Sequence, residues 1–365
     1  MRVGLSLIIF SVLVLGCDPD EGMDAGTPTD AGPPPEEDAG TDAGTDAGTD
    51  AGPTCEGPPG LYEDGSCETL ATGVRTYTPL FELWSDGASK DRYVYLPEGE
   101  TIDARNPDVW VYPVGTRIYK TFSLSGVRLE TRILEKTSPG SGVSAWTSTV
   151  WAWNEAQDSV TDVTSAAAPE RTDVLGTEHD IPSGADCLRC HIGQMGHDMV
   201  NGFSAFAINH DMGGVTYQTL LDEGRITNPF ARTDAEVPGD AASVAALGYL
   251  HTNCGYCHRP EGDPAAALRG FFMRLEVGST ATVEDTAAYT TGVNTLSSVS
   301  FDTALCRMMP GNAADSVVVR RMGSRMPAVQ MPPLATEIVH AEGVAALSAW
   351  INALTVTPAA ECSTP

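Results

Sequence analysis

Two short segments of the chain carry the same chemical pattern, Cys-x-x-Cys-His. They are residues 187–191 (CLRCH) and residues 254–258 (CGYCH). On one helical turn, cysteines at i and i+3 lie on the same face, where their sulfurs can form thioethers with a haem while the following histidine ligates the iron. The two motifs therefore predict two covalently attached c-type haems. The attachment cysteines are Cys187, Cys190, Cys254 and Cys257, and the iron ligands are His191 and His258.

Zinc binding and dithiol redox chemistry are the alternatives for cysteines in this pattern. A zinc ribbon separates its CxxC pairs by about 15 to 20 residues, whereas Cys190 and Cys254 lie much farther apart. A thioredoxin-like motif needs a βαβ setting, which the flanking sequence does not suggest. Neither alternative accounts for a histidine in both copies, so haem is the favoured interpretation.

The second iron ligands must come from elsewhere in the chain. Residues 325–333 (RMPAVQMPP) contain two methionines among prolines that restrict the backbone and can hold a thioether rigidly. Met331 is the candidate at the second haem, with Met326 as its substitute. For the first haem we select His210, because the chain between it and the first motif is long enough to pass around the haem edge. His210 could equally be an ordinary turn residue, and His251 is another possible donor.

Two helical patterns would position the second motif. In residues 241–258, Val244, Leu247, His251 and Cys254 recur at helical spacing, which predicts a helix with the motif at its C-terminal end. Residues 344–354 form a second amphipathic face.

This order of features, a helix running into CxxCH, a Met-Pro-Pro loop and a C-terminal helix, resembles class I cytochrome c over residues 241–356. The resemblance implies His258 and Met331 as the two iron ligands and single-electron transfer as the activity. A wider match covers residues 78–356. Its segments LWSDGASKDRYVYLPEG, NCGYCHRPEG and MPPLAT look like those of a largely uncharacterised family of bacterial envelope proteins that join a β-rich region to a cytochrome-c-like end.

The region before the motifs predicts β-structure. Apolar and polar residues alternate in short runs separated by turn residues, and period two is typical of strands. The runs are residues 92–96, 116–122, 128–134 and 146–153. The predicted fold is therefore mixed and multidomain, with a β-rich sandwich or barrel at residues 76–178 and an all-α cytochrome c-like region at residues 179–357 that carries both haem sites. Residues 358–365 are a tail.

Five of the six tryptophans lie in the β-rich region, at positions 84, 110, 146, 151 and 153. They could line a carbohydrate or aromatic ligand site, but tryptophan in a β domain is more often core.

The N-terminus predicts export. Residues 1–16 combine one arginine with an apolar run that is too short to span a bilayer, which indicates a signal peptide rather than a buried helix. Residues 14–17 (VLGC) resemble the lipobox of bacterial lipoproteins, which implies lipidation of Cys17 and a membrane anchor.

Residues 18–54 contain eleven acidic and no basic residues with repeated TDAG. We expect a disordered tether over residues 17–54. Calcium-binding loops are the alternative, but this segment lacks the bidentate glutamate that such loops use.

The remaining cysteines predict disulfides in an oxidising compartment. Cys55 and Cys67 bracket a loop within the small segment 55–75, and closure of this short loop favours their pairing. Cys306 and Cys362 are paired by elimination, although they could be two free thiols.

Charge and motif content restrict the function. The formal net charge of −28 argues against nucleic acid and favours a partner with a basic face. No phosphate loop, nucleophile elbow or zinc-protease helix supports hydrolysis. The leading hypothesis is a di-haem electron-transfer protein tethered in the cell envelope. The alternatives are a di-haem peroxidase or oxidase with one open haem, and a β-domain binding module with accessory haems.

Overall fold

The computed structural model describes residues 54–165, 171–182, 187, 191, 198, 200–301, 303–334 and 336–362. The predicted signal and the tether up to residue 53, with Cys17, lie outside these residues, and so does Cys190. Among the described residues, no helix has both the length and the apolar composition needed to cross a bilayer.

The described strands are β1 (Val74–Thr76), β2 (Ser89–Tyr95), β3 (Ile102–Asp103), β4 (Arg117–Leu124), β5 (Val127–Lys136), β6 (Trp146–Trp153), β7 (Val160–Asp162), β8 (Ile226–Thr227), β9 (Leu296–Phe301) and β10 (Ala304–Cys306). Six of them form the largest element, an antiparallel sheet in the order β1-β2-β4-β5-β6-β7. Outside it, β3 pairs in parallel with β8, and β9 pairs antiparallel with β10.

Alternation along the central strands gives the sheet two different faces. Tyr119 of β4 and Ile133 of β5 lie opposite each other and pack with Leu61 and Val74 in a small core. Ile118, the neighbour of Tyr119, points to the opposite face and belongs to the main core of the molecule. The four predicted strand runs correspond to β2, β4, β5 and β6.

A disulfide-closed segment covers the first face. Cys55 is bonded to Cys67, and Cys306 is bonded to Cys362, which are the two pairs that the cysteine count predicts. The Tyr119 hydroxyl donates a hydrogen bond to the carbonyl of Gly60 at 2.8 Å, which ties the segment to β4.

Helices and loops cover the second face. The described helices are α1 (Ala205–Ile208), α2 (Tyr217–Asp222), α3 (Ala241–Asn253), α4 (Pro264–Leu268), α5 (Ala287–Gly292), α6 (Val317–Met322) and α7 (Ala341–Ala353). Helix α3 begins after Asp240, whose carboxylate accepts a hydrogen bond from the Ser243 amide at 2.9 Å. It packs against α7, and buried Leu247 and Trp350 join the main core from the two helices.

The predicted sandwich or barrel followed by an all-α cytochrome c-like domain is wrong. In the described part of the chain the six strands form one open sheet with β1 and β7 at its edges. After residue 179, three strands accompany the helices, and only α3 and α7 reach seven residues or more. Period-two alternation identifies strands, but it does not indicate what covers the second face of their sheet. The two helical patterns that the sequence does contain correspond to α3 and α7, and they do not predict the short helices and strands between those two helices.

Candidate functional site

Residues of both Cys-x-x-Cys-His motifs line one cavity of about 540 Å³. The first motif contributes Cys187 and His191, both with helical backbone, and the second contributes Cys254, Cys257 and His258. The structure therefore brings the two motifs together around a shared space.

Segments far apart in the sequence complete the wall of this cavity. Residues 83–86 precede β2, alternate residues of β4 and β5 line the sheet side, and residues 331–334 line it from the Met-Pro-Pro loop. The Trp84 amide donates to Oδ1 of Asn253 at 2.7 Å, which fixes the first of these segments to the end of α3. Parts of all three segments that carry the wider sequence resemblance thus meet at the cavity.

The second motif forms a tight turn directly after α3. The helix ends at Asn253, earlier than predicted, and the Cys254 carbonyl accepts hydrogen bonds from the amides of Cys257 at 3.1 Å and His258 at 2.8 Å. The absence of a side chain at Gly255 lets the segment from Phe271 to Leu275 pack closely against this turn. A Cβ at position 255 would lie only 2.9 Å from Cα of Arg274.

That neighbouring segment fixes the ring of His258. Nδ1 of His258 lies 3.0 Å from the carbonyl oxygen of Phe271, and the amide of Met273 donates to the His258 carbonyl at 2.8 Å. A carbonyl only accepts, so Nδ1 carries the proton and Nε2 keeps its lone pair. Burial lowers the pKa of His258, which favours the neutral ring. A neutral, oriented imidazole is the form that ligates a metal.

The thiol chemistry also fits thioether formation. Burial raises the pKa of Cys254 to about 12, so its thiol stays neutral. A thioether carries no charge and is compatible with such a buried site. Within the described residues, no three His, Cys, Asp or Glu side chains form a group suited to a metal ion.

The loop of Met331 is held in place by hydrogen bonds. The Met331 amide donates to the Arg321 carbonyl at 3.0 Å, and Nε of Arg321 donates to the Val329 carbonyl at 2.7 Å. The methionine side chain lies on the cavity wall, together with Met273 and Met322. Met326 is 62% exposed and does not line the cavity.

The structure does not bring His210 or His251 to the cavity wall. Nε2 of His210 donates to the Thr78 carbonyl at 2.7 Å, and its Nδ1 accepts from the Met212 amide at 3.0 Å. Nδ1 of His251 accepts from the Leu275 amide at 3.0 Å, and the ring is buried in the core. Both ring nitrogens of His210 and Nδ1 of His251 are thus hydrogen-bonded to the backbone.

Sequence reasoning missed a polar group on the sheet side of the cavity. Nε2 of His179 donates to Oε1 of Glu130 at 2.8 Å, and Arg132 binds both carboxylate oxygens of Glu130. His179, Arg132 and Lys120 line the cavity. The available signal was the charged residues Arg128, Glu130 and Arg132 at alternate positions of β5, but charges that alternate along a strand usually mark a solvent-facing side.

Comparisons of the chain with known protein families, with curated sequences and with solved structures gave no significant match. The function proposed below therefore rests on the residues and geometry of the cavity.

Proposed function

We propose that the protein is a c-type di-haem electron-transfer protein. The observation that supports this most strongly is that members of two Cys-x-x-Cys-His motifs, far apart in the sequence, line the same cavity. Paired cysteines with a following histidine are the attachment signal of c-type haem.

The residues have distinct roles in this proposal. The four motif cysteines hold two haems through thioethers, His191 and His258 are the first iron ligands, and Met331 is the second ligand at the second motif. When bound, each haem supplies an iron couple that accepts and releases one electron.

The protein around the second motif controls orientation and water access. Phe271 fixes the His258 ring through its carbonyl and also lines the cavity. Val318 and Met322 add apolar surface that keeps water from the ligand side. Because Met/His ligation raises reduction potential, a methionine at only one motif would give electrons a direction between the two sites.

Location and partners form part of the same proposal. An export signal with a lipobox-like end would anchor the protein in the cell envelope through Cys17, facing the periplasm or the cell surface. A formal net charge of −28 favours a redox partner with a basic face.

Haem counting tests the proposal. The full chain, produced with a c-type maturation system, should show two covalent haems by the pyridine haemochrome spectrum and stain for haem after denaturing electrophoresis. Cys254→Ser with Cys257→Ser should remove one haem, and Cys187→Ser with Cys190→Ser the other. Met326→Ala is the matched control and should keep both. A chain without covalent haem would refute the proposal.

A di-haem peroxidase is the second candidate. It is favoured by the side chains of His179 and Arg132 at the cavity, which could transfer a proton and stabilise negative charge on a peroxide substrate. Turnover of hydrogen peroxide with a reduced c-type donor, lost in His179→Ala, would favour this candidate over simple electron transfer.

A further inference from the structure

Three cations lie side by side on the sheet face that borders the cavity. The register places Arg92 of β2 opposite Lys120 of β4, and Lys120 opposite Arg132 of β5. Like charges directly opposite each other destabilise a sheet. In the next row, Lys90 lies opposite Phe122, and the Phe122 ring has Lys90, Lys120 and Arg132 within 5.9 Å of its centroid.

Lys120 has no polar partner among the described residues, in contrast to its neighbours. Arg132 is held by Glu130, Arg92 lies 3.7 Å from Glu82, and Lys90 donates to the Ala88 carbonyl at 2.7 Å. Among the described residues, Lys120 has the ring contact with Phe122 and a longer-range attraction to the charge of Glu130, but no hydrogen bond or ion pair. Burial, together with the charges of Arg92 and Arg132, lowers the pKa of Lys120 to about 7.

The nearby acids form their hydrogen bonds with other groups. Glu130 already accepts hydrogen bonds from Arg132 and His179 on its two oxygens. Asp86 accepts from the Ile338 amide at 2.8 Å, which directs it toward the loop after Met331. Lys120 therefore lines the cavity without an acid bonded to it, and an anionic ligand bound there would hold its amine protonated.

We propose that Lys120, at the centre of the row Arg92–Lys120–Arg132, is the binding point for a carboxylate ligand in the cavity. One unpartnered cation matches one negative charge, which a carboxylate carries and a phosphate exceeds. Arg307 and Arg321, which also line the cavity, differ because they donate to backbone carbonyls.

The carboxylate can have two sources, a separate small molecule or the propionate arms of a bound haem. The first source does not depend on the proposed haem function, whereas the second rests on it. The two sources are distinguished by titrating the full-length, haem-loaded protein with acetate and by measuring its reduction potentials.

The variants are Lys120→Met, which removes the charge, and Lys120→Arg, which keeps it. Arg105→Met is the matched control, because Arg105 is 79% exposed at its side chain and does not line the cavity. Lys120→Met should unfold at the same denaturant concentration as the wild type or a higher one, because it relieves repulsion within the row.

If a separate ligand is bound, calorimetry will detect acetate binding to the wild type, weakened about tenfold or more in Lys120→Met and retained in Lys120→Arg. If propionates occupy the site, the loaded wild type will not bind acetate, and Lys120→Met will lower one reduction potential while Arg105→Met leaves both unchanged.

The proposal is overturned if the loaded wild type binds no acetate and Lys120→Met shifts neither potential. A chain that carries no haem refutes the proposed function, but the acetate titration then tests the carboxylate site on its own: binding that depends on Lys120 supports it, and no binding overturns it.

Discussion

At the scale of single residues, the second motif is organised by its own backbone. The Phe271 carbonyl sets the tautomer of His258, and the loop of Met331 is bound to Arg321. Both candidate ligands are thus positioned by contacts that do not depend on an iron atom. Substituting either side chain should therefore change the reduction potential of the proposed haem more than the stability of the fold.

Met331→Ala should lower one reduction potential and leave the other unchanged. Loss of a methionine ligand removes the feature that raises the potential of a Met/His site. Potentiometric titration followed by visible spectroscopy measures both couples. Met326→Ala, on the exposed side of the same loop, should leave both unchanged; equal effects of the two substitutions would argue against Met331 as ligand.

Glu130→Gln should destabilise the fold by about 3 kcal/mol at neutral pH, because it removes the buried carboxylate charge that Arg132 and His179 face. Desolvation raises the pKa of Glu130, but Arg132 and His179 outweigh it and hold the pKa below the ordinary value of 4.5. The ionised form therefore contributes stability above pH 4.5, which is lost as the pH falls below 4.5.

Urea unfolding at several pH values checks this prediction. The stability of the wild type should fall more steeply below pH 4.5 than that of Glu130→Gln. Glu223→Gln removes the carboxylate of an exposed pair with Arg75, and should cost less than about 1 kcal/mol. Parallel pH profiles for wild type and Glu130→Gln would contradict the assignment.

At the scale of elements, the end of α3 meets the segment from Phe271 to Leu275. Gly255→Ala should destabilise the protein by about 1–3 kcal/mol, because a Cβ there would overlap backbone atoms that cannot turn aside. Gly213→Ala is the control, since nothing lies within 4 Å of its added Cβ. Chemical unfolding measures both, and equal midpoints would show that the turn can relax.

The elements also show what sequence patterns can predict. Alternation located β2, β4, β5 and β6, and helical spacing located α3 and α7, because these elements have one apolar side over several residues. The all-α expectation failed between them, where short helices and the β9–β10 pair form through tertiary contacts. The local pattern there is too short to distinguish helix from strand.

At the scale of the whole molecule, Asp198 joins the chain after the first motif to the sheet. Its carboxylate accepts hydrogen bonds from Nζ of Lys136, from Nε1 of Trp146 at 2.8 Å and from the Tyr112 amide at 2.9 Å. The side chains of Lys136 and Asp198 are each 1% exposed. This is the kind of buried ion pair whose disruption is costly.

Asp198→Asn should therefore destabilise the fold by about 3–5 kcal/mol, since it leaves the buried ammonium of Lys136 uncompensated. Asp211→Asn is the matched control, because Asp211 is 82% exposed in its pair with Arg232 and should cost less than about 1 kcal/mol. Guanidinium unfolding of the two variants compares them. A similar small cost for both would show that Lys136 finds another partner.

The cavity itself could be predicted only in part. The two motifs and Met331 were recognisable because each is defined by residues that are adjacent or nearly adjacent in the sequence. His179 and Lys120 were not, because their position depends on strand register and on how the chain folds over the sheet. Strand register and the path of the chain over the sheet depend on contacts between distant segments, so one short segment does not predict them.

Enclosing both motifs in one cavity has a consequence for electron uptake. If the cavity holds the two proposed haems, an electron received at one iron would add negative charge close to the other, which would make the second reduction harder. By linkage the effect is mutual. The two couples should therefore be anticooperative, and the haem that remains after Cys254→Ser with Cys257→Ser should be reduced at a higher potential than when its neighbour already holds an electron.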